Sequence, residues 1–250
     1  MAGEALIAVF IDFENLALGV KDVPGGDFDM SLVHKRVLEK GRLVFKRAYC
    51  DWGRYRDQMR AFHSMGIEMI DIPQTRISGK NSADIRMVVD ALDLCYAKGH
   101  IDTFVLVSGD SDFSPLVSKL KENDKRVIGC GVKSSTSELL VANCDEFIYY
   151  DDLVRKSGRQ RKRKAESGSE NDKGAEAREK LVEIVSSLES DYDPVWGSLV
   201  KQTIKRVYPG FNESYYGFKS FTDLLQSAEK SNQITLEYDA ERGNYKVSCA

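Results

Sequence analysis

Short apolar runs recur through the first 150 residues, each separated from the next by a polar or amphipathic stretch. LIAVFI (6–11), LVFKRAYC (43–50), IEMIDI (67–72), TFVLV (103–107), RVIGCGV (126–132) and EFIYY (146–150) have the length of strands and few charges. Between them, 31–40, 54–66, 82–99, 112–123 and 137–144 carry apolar residues at helical spacing. Gly66 and Gly99 stand where helices stop, and Ser82 is placed to cap the third of these. Strands that are apolar on both faces, alternating with helices, predict an α/β domain with a parallel sheet covered on both sides.

The pattern changes after residue 175. Residues 177–190, 195–211 and 213–232 read as three amphipathic helices, and ITLEYDAERGNYKV (234–247) reads as a hairpin turning near Asp239–Asn244. Three helices and a hairpin predict a small α+β winged helix. Phe218 and Phe221 fall at core spacing, while Tyr215 and Tyr216 are candidates for stacking on bases.

Charge separates the two regions. The net charge of −3 is composed of −5 over residues 1–154, +5 over 155–174 and −3 over 175–250. The positive charge sits in RKSGRQRKRK (155–164), a block that repels itself and stays solvated. It runs into AESGSENDKG, which has the composition of a linker. The expected organisation is therefore a first domain at 1–154, a basic and polar linker at 155–174 and a second domain at 175–250. The basic block also fits contact with nucleic-acid phosphates, or an import signal.

Several classes of function drop out. No apolar run reaches the roughly 18 residues of a membrane span, and MAGEALIAVFID lacks the basic lead of a signal peptide. Five cysteines form no CxxC pair, and His34, His63 and His100 fit no ligand spacing. Reduced cysteines in apolar runs point to a cytoplasmic protein without a zinc site. Gly25-Gly26 and Gly129-Cys130-Gly131 are too short for a phosphate loop.

The chemistry that remains is carboxylate. SGDSDF (108–113) places Asp110 and Asp112 directly after the uncharged run TFVLV, and the first run ends in Asp12, with Asn15 three residues on. Ligands in open α/β sheets sit beyond the carboxyl ends of the strands, where the strand order reverses. In the common order that point lies between the first and fourth strands, so Asp12, Asp110 and Asp112 would converge. Clustered carboxylates raise one another's pKa unless a cation holds them, and hard oxygen donors suit Mg²⁺ or Mn²⁺. Asp84, in the first turn of the long helix after the loop holding Lys80, is a further candidate. Asp90 lies six residues beyond it, at roughly 600° of helix rotation, and carries less weight. A plain helix cap accounts for Asp112 alone. The argument for a site rests on the combination.

These residues resemble a known family. IDFEN, the helix NSADIRMVVDAL, LVSGDSDFSPLV and CDEFIYYDDL, in that order over about 6–153, are similar to the NYN domain, a LabA-like branch of the PIN-like nucleases. The resemblance implies a PIN-like three-layer α/β sandwich whose acidic pocket binds metal and cuts RNA. By position, the pocket residues are Asp12, Asn15, Asp84, Asp110 and Asp112. Residue 13 is Phe where many members carry Gly. YYGFKSFTDLLQ and the hairpin after it resemble the OST-HTH or LOTUS domain. That implies RNA binding, with a protein partner as an alternative, and leaves Lys219, Arg242 and Lys246 as backbone contacts.

The expected function is a metal-dependent ribonuclease in which Asp12, Asp84, Asp110 and Asp112 hold Mg²⁺ or Mn²⁺. A bound water would attack the phosphodiester. Asn15 and Lys80 would contact substrate in the first domain, and Lys219 and Arg242 in the second. A non-catalytic RNA-binding regulator is the alternative. A primase/topoisomerase-like domain also uses a DxD pair, with Glu14 available, but leaves Asp12 and Asp84 without a role.

Overall fold

The computed structural model describes residues 4–20, 28–73, 81–166 and 173–250, with side chains of the basic helix described only as far as 158. The chain divides into two compact units, Met1–Arg163 and Lys164–Ala250.

The first unit is built on a six-stranded parallel sheet: β1 (Leu6–Asp12), β2 (Arg42–Cys50), β3 (Glu68–Asp71), β4 (Thr103–Val107), β5 (Arg126–Gly131) and β6 (Glu146–Tyr149). The order is β3-β2-β1-β4-β5-β6. The chain therefore reverses direction across the sheet between β1 and β4, which pair from Ile7 with Thr103 to Ile11 with Val107. The helices are α1 (Phe13–Gly19), α2 (Met30–Lys40), α3 (Arg56–Ser64), α4 (Ser82–Ala97), α5 (Ser114–Glu122), α6 (Glu138–Asn143) and α7 (Tyr150–Glu166).

Strand alternation builds two cores from one sheet. Ile7, Val9 and Ile11 of β1 join Val105, Val107, Ile128, Phe13, Val33, Val37 and Phe62 on one face. Ala8 and Phe10 join Phe104, Leu106, Met87, Ala91, Leu116 and Leu120 on the other. The sheet is thus covered on both sides, which is why its strands read as continuous apolar runs. This is the PIN-like α/β architecture the sequence predicts.

Four details differ from the sequence reading. The segment FENLALG forms α1, which the pattern does not announce. Asn81, not Ser82, occupies the N-cap of α4 and makes no side-chain cap bond. Tyr150 opens a helix instead of closing a strand, and α7 carries the basic block 155–164 in helical backbone. In the second unit, 213–232 is broken into a 3-10 turn at Glu213–Tyr216 and α10 (Phe221–Lys230). Gly217 between them has φ 87°, in the left-handed region that ends a helix.

The rest of the second unit is α8 (Lys173–Leu188), α9 (Gly197–Val207) and the antiparallel pair β7 (Ile234–Asp239) and β8 (Asn244–Cys249). Its own core gathers Leu181, Ile184, Leu188, Val200, Ile204, Phe221, Leu224 and Val247. Phe221 is buried as expected and Phe218 packs partly on this core. Tyr216 is also buried, whereas Tyr215 is exposed.

Candidate active site

The carboxyl ends of β1 and β4 form the centre of the site. Asp12 is the last residue of β1 and the N-cap of α1, where it accepts the Asn15 N–H through Oδ1 at 3.3 Å. Ser108 Oγ donates to its other oxygen at 2.9 Å. The Asn15 side chain reaches across to β4 and accepts the Gly109 N–H at 3.0 Å, tying the start of α1 to the SGDSDF loop. That loop turns on side chains. Ser108 Oγ accepts the Asp110 N–H at 3.2 Å, and Asp110 Oδ1 accepts the Asp112 N–H at 2.9 Å. Gly109 is needed here because a Cβ on it would meet the Ser135 carbonyl at 2.8 Å and Thr136 Cα at 2.9 Å.

The cap therefore belongs to Asp110. It is the N-cap of the 3-10 turn Ser111–Phe113, while α5 proper starts behind Phe113 with no side-chain cap. Asp112 receives no capping role, is exposed, and is free of the local explanation that the sequence offers for it.

Electrostatics ties the carboxylates together. Asp12 is only 7% exposed. Burial, and then the charge of Asp84, push its pKa up to about 7, with Asp110 adding to the rise. The bonds from Asn15 and Ser108 pull the other way and do not compensate. Asp84, in the first turn of α4, is also raised, first by burial and then by Asp110, Asp112 and Glu14. The predicted residues Asp12, Asp84, Asp110 and Asp112 thus share one electrostatic neighbourhood. Two further residues join it: Glu14, which the sequence offers only to the primase/topoisomerase-like alternative, and Ser108, which sequence reasoning missed. Glu14 follows Asp12 by two residues and pairs with Arg54 at 3.1 Å. Ser108 is, among the described residues, the polar side chain that holds Asp12 Oδ2. A serine closing an apolar strand next to Gly-Asp is a signal that could have been read; nothing in the sequence marks Arg54.

The donor set is all oxygen and mutually repelling, and so fits a hard divalent cation by its chemistry. It is not a preformed cage: among the described residues, no three His, Cys, Asp or Glu side chains are arranged to hold a metal ion between them. Lys80 lies outside the described residues. Lys219 and Arg242 belong to the second unit and are exposed. The Arg242 guanidinium stacks 4.8 Å over the Trp196 ring, and Lys246 pairs with Glu237 at 2.8 Å.

Comparison with known proteins agrees with this fold. The family model for the NYN domain matches residues 6–151, more than half the chain. The chain belongs to the NYN domain family. The family is one of PIN-like nucleases, and the NYN domain here carries its carboxylates at the strand ends where β1 meets β4. The OST-HTH/LOTUS model, an RNA-associated domain, matches residues 175–232 behind it. An uncharacterized protein of Methanocaldococcus jannaschii is 30% identical over 146 residues, 58% of this chain and 55% of that protein. The chain thus spans about half the length of the curated relative it matches. A crystal structure of a Vibrio parahaemolyticus protein of unknown function superposes with a TM-score of 0.54 at 25% identity, over 61% of this chain and 97% of the other. No described helix is long and apolar enough to cross a membrane.

Proposed function

We propose that the chain is a metal-dependent ribonuclease whose NYN domain cuts single-stranded RNA delivered by the LOTUS domain and the basic helix. One observation carries the reading. Asp12, a buried carboxyl with no ion-pair partner among the described residues, shares the β1–β4 switch point with Asp84, Asp110 and Asp112. A buried carboxylate facing others of its own charge is costly unless a cation joins them.

In this reading Asp12, Asp84, Asp110 and Asp112 hold Mg²⁺ or Mn²⁺, which when bound supplies an activated water and neutralises charge on the phosphate. The chain's own residues prepare the place. Ser108 and the Asn15 N–H fix the orientation of the Asp12 carboxyl. Asn15 Oδ1 locks the β4 loop against α1, so that Asp12 and Asp110 keep their relation. Asp110 spends Oδ1 on its own turn, and Asp112 stands open to solvent. Arg54, paired with Glu14, offers a guanidinium near the carboxylates for a backbone phosphate.

The test is incubation of the full chain with labelled single-stranded RNA in EDTA, Mg²⁺ and Mn²⁺. Cleavage is expected only with metal. Asp12→Asn and Asp112→Asn are each expected to lose about a hundredfold or more, since the ion's contribution to the transition state is several kcal/mol. Asn proteins that cut at the parent's rate would sink the reading.

RNA affinity is expected to rest on the basic helix and the LOTUS domain, because residues 1–154 carry a balance of −5. A chain ending near Asp152 should bind markedly more weakly, and binding by the full chain should fall steeply with salt. Within the LOTUS domain, the outward positions Thr222, Gln226 and Lys230 of α10 bring one cation, so the wing residue Arg242 and Lys219 are the better contacts. A second reading, a non-catalytic RNA-binding regulator, is favoured by the open, uncaged set of carboxylates. It predicts RNA binding without cleavage in any metal.

A further inference from the structure

The helix α4 is apolar on two faces. Met87, Ala91 and Cys95 are buried in the domain core, beside the paired Asp90. Ile85, Val89 and Tyr96 are 64%, 48% and 61% exposed, and Leu92 between them is only partly buried. At about 100° per residue, these four share a sector of roughly 60° turned away from the core face. Their successive spacings of four, three and four residues are those of a coiled-coil seam. A single exposed apolar residue needs no explanation, but four aligned along one helix form a contact surface. We propose that this stripe is a homodimer interface, on which α4 packs antiparallel against α4 of a second copy of this chain.

The seam is complementary to itself. A two-fold axis crossing α4 between Val89 and Leu92 sets Val89 against Leu92 of the partner subunit. The same axis sets Ile85 against Tyr96 of the partner subunit. Every apolar position thus meets an apolar position, and each contact occurs twice, as a closed two-fold dimer requires.

Charge selects the antiparallel sense. Arg86 and Asp93 flank the stripe on one side, roughly 20° apart around the helix. In an antiparallel pair that side meets its own copy. Arg86 then lies beside Asp93 of the partner subunit, with an axial offset of about 3 Å. Asp93 is exposed, and Arg86 keeps 56% of its side chain in solvent while its Nε donates to Asp90 at 2.9 Å. A parallel pair would turn the same side towards Val88 and Cys95 and leave both charges without a cross-helix partner. It would also bring two acidic clefts together, because Asp84 stands in the first turn of α4. The antiparallel pair sets the clefts at opposite ends. Asp84 is about 100° around the helix from Ile85 and stays clear of the seam. The dimer does not depend on what the cleft does.

The test is sedimentation equilibrium of the full chain, freed of nucleic acid and in EDTA, over a range of micromolar concentrations. A monomer–dimer equilibrium is expected. Val89→Glu sets two carboxylates beside the axis and should raise the dissociation constant about a hundredfold or more. Asp93→Arg opposes like charges at both flanks and should raise it about threefold or more. Melting temperatures taken where the parent is also monomeric verify that each variant folds, and Asp93→Arg decides if Val89→Glu does not. Orientation is read by treating Ile85→Cys and Tyr96→Cys proteins with a short bis-maleimide, apart and mixed. Cross-linking above the parent's background is expected mainly in the mixture. A chain that stays monomeric overturns the proposal and leaves the stripe to a different protein. So does a dimer that both Val89→Glu and Asp93→Arg leave at the parent's strength. Cross-links that form as readily within each protein alone as in the mixture overturn the antiparallel seam.

Discussion

Asp12 and Asp90 are buried to nearly the same degree, 7% and 9% exposed, yet their surroundings are opposite. Asp90 lies on α4 facing β2, where it accepts from Arg47 Nη1 at 2.7 Å, Arg86 Nε at 2.9 Å and Tyr49 OH at 2.8 Å. Burial works against its charge, but the bonds from Tyr49, Arg47 and Arg86 outweigh burial and hold its pKa below the ordinary carboxylate value. Arg47 in turn reaches Glu68 at 2.8 Å, so the cluster stitches β2, β3 and α4 together. Asp12 has a hydroxyl and an amide for company, and carboxylates beyond them. Its pKa rises where that of Asp90 falls. Burial alone therefore does not mark a functional carboxylate. The sign of the neighbouring charge separates the two: Asp90 is neutralised by the fold, whereas Asp12 is surrounded by its own kind, which is why the proposed cation is assigned to it.

The comparison breaks most readily at Asp90. Asp90→Ala leaves Arg47, with a side chain only 20% exposed, without its buried partner, and leaves the Tyr49 hydroxyl unpaired. The expected cost in urea unfolding is about 3 kcal/mol, the low end for a broken buried pair because Arg86 is half exposed. Asp12→Asn should cost far less in EDTA, since it removes a repelled charge and keeps hydrogen-bonding oxygen. If the two substitutions cost the same, the contrast between the sites is wrong.

The next effect is a pH slope. Asp12 titrates at about 7 in the folded chain against 3.8 as the ordinary value. Between these values the folded state holds the extra proton, so this group's contribution to stability is full below pH 3.8 and is lost as pH rises through 7. The slope is at most about 1.4 kcal/mol per pH unit. Asp90 runs the other way: its folded pKa is lowered, so its contribution is present above 3.8 and disappears as pH falls further. His34, lowered to about 4 by burial and Lys46, makes stability rise with pH between 4 and 6.5. The parent minus Asp12→Asn difference, measured in EDTA from pH 4 to 7, isolates the Asp12 slope. Mn²⁺ should flatten it. A difference that does not change with pH would mean that Asp12 is ionised without help.

Much of this was legible in the chain. Short apolar runs gave away every strand of the parallel sheet: the central strands β1 and β4 are uncharged between Leu6 and Ile11 and between Thr103 and Val107, whereas β2 and β3 keep charges such as Arg47 and Glu68 that pair with one another. The strand order then put Asp12 beside Asp110 across nearly a hundred residues. What stayed hidden depends on geometry finer than periodicity. FENLALG is too short for a helical period, and α1 exists because Asp12 caps it and Phe13 and Leu16 are drawn into the core. The break at Gly217 interrupts a segment whose apolar spacing runs on regardless. Glu14 and Ser108 join the site through turns that only the folded backbone fixes. The angle of Asp90 on α4 gives it less weight in the sequence, but does not show that one of the two cations that neutralise it, Arg47, comes from β2, 43 residues away in sequence.

The smallest expected effect lies inside SGDSDF, between two aspartates one residue apart. Asp110 Oδ1 accepts the Asp112 N–H, so Asp110→Ala loses an N-cap and should cost about 1 kcal/mol. Asp110→Asn can still accept that bond and should recover most of it. Asp112 caps nothing, and Asp112→Ala should stay within about 0.5 kcal/mol of the parent in EDTA. Either removal also relieves Asp84, whose carboxyl both neighbours push upward, and this offsets part of the loss at Asp110. The two positions should therefore differ in stability and agree in chemistry, with cleavage of RNA lost from both. Thermal unfolding in EDTA, followed by the cleavage assay on the same preparations, reads both halves. A larger stability loss at Asp112 than at Asp110 would return the cap to Asp112 and take from it the reason for assigning it to the cleft.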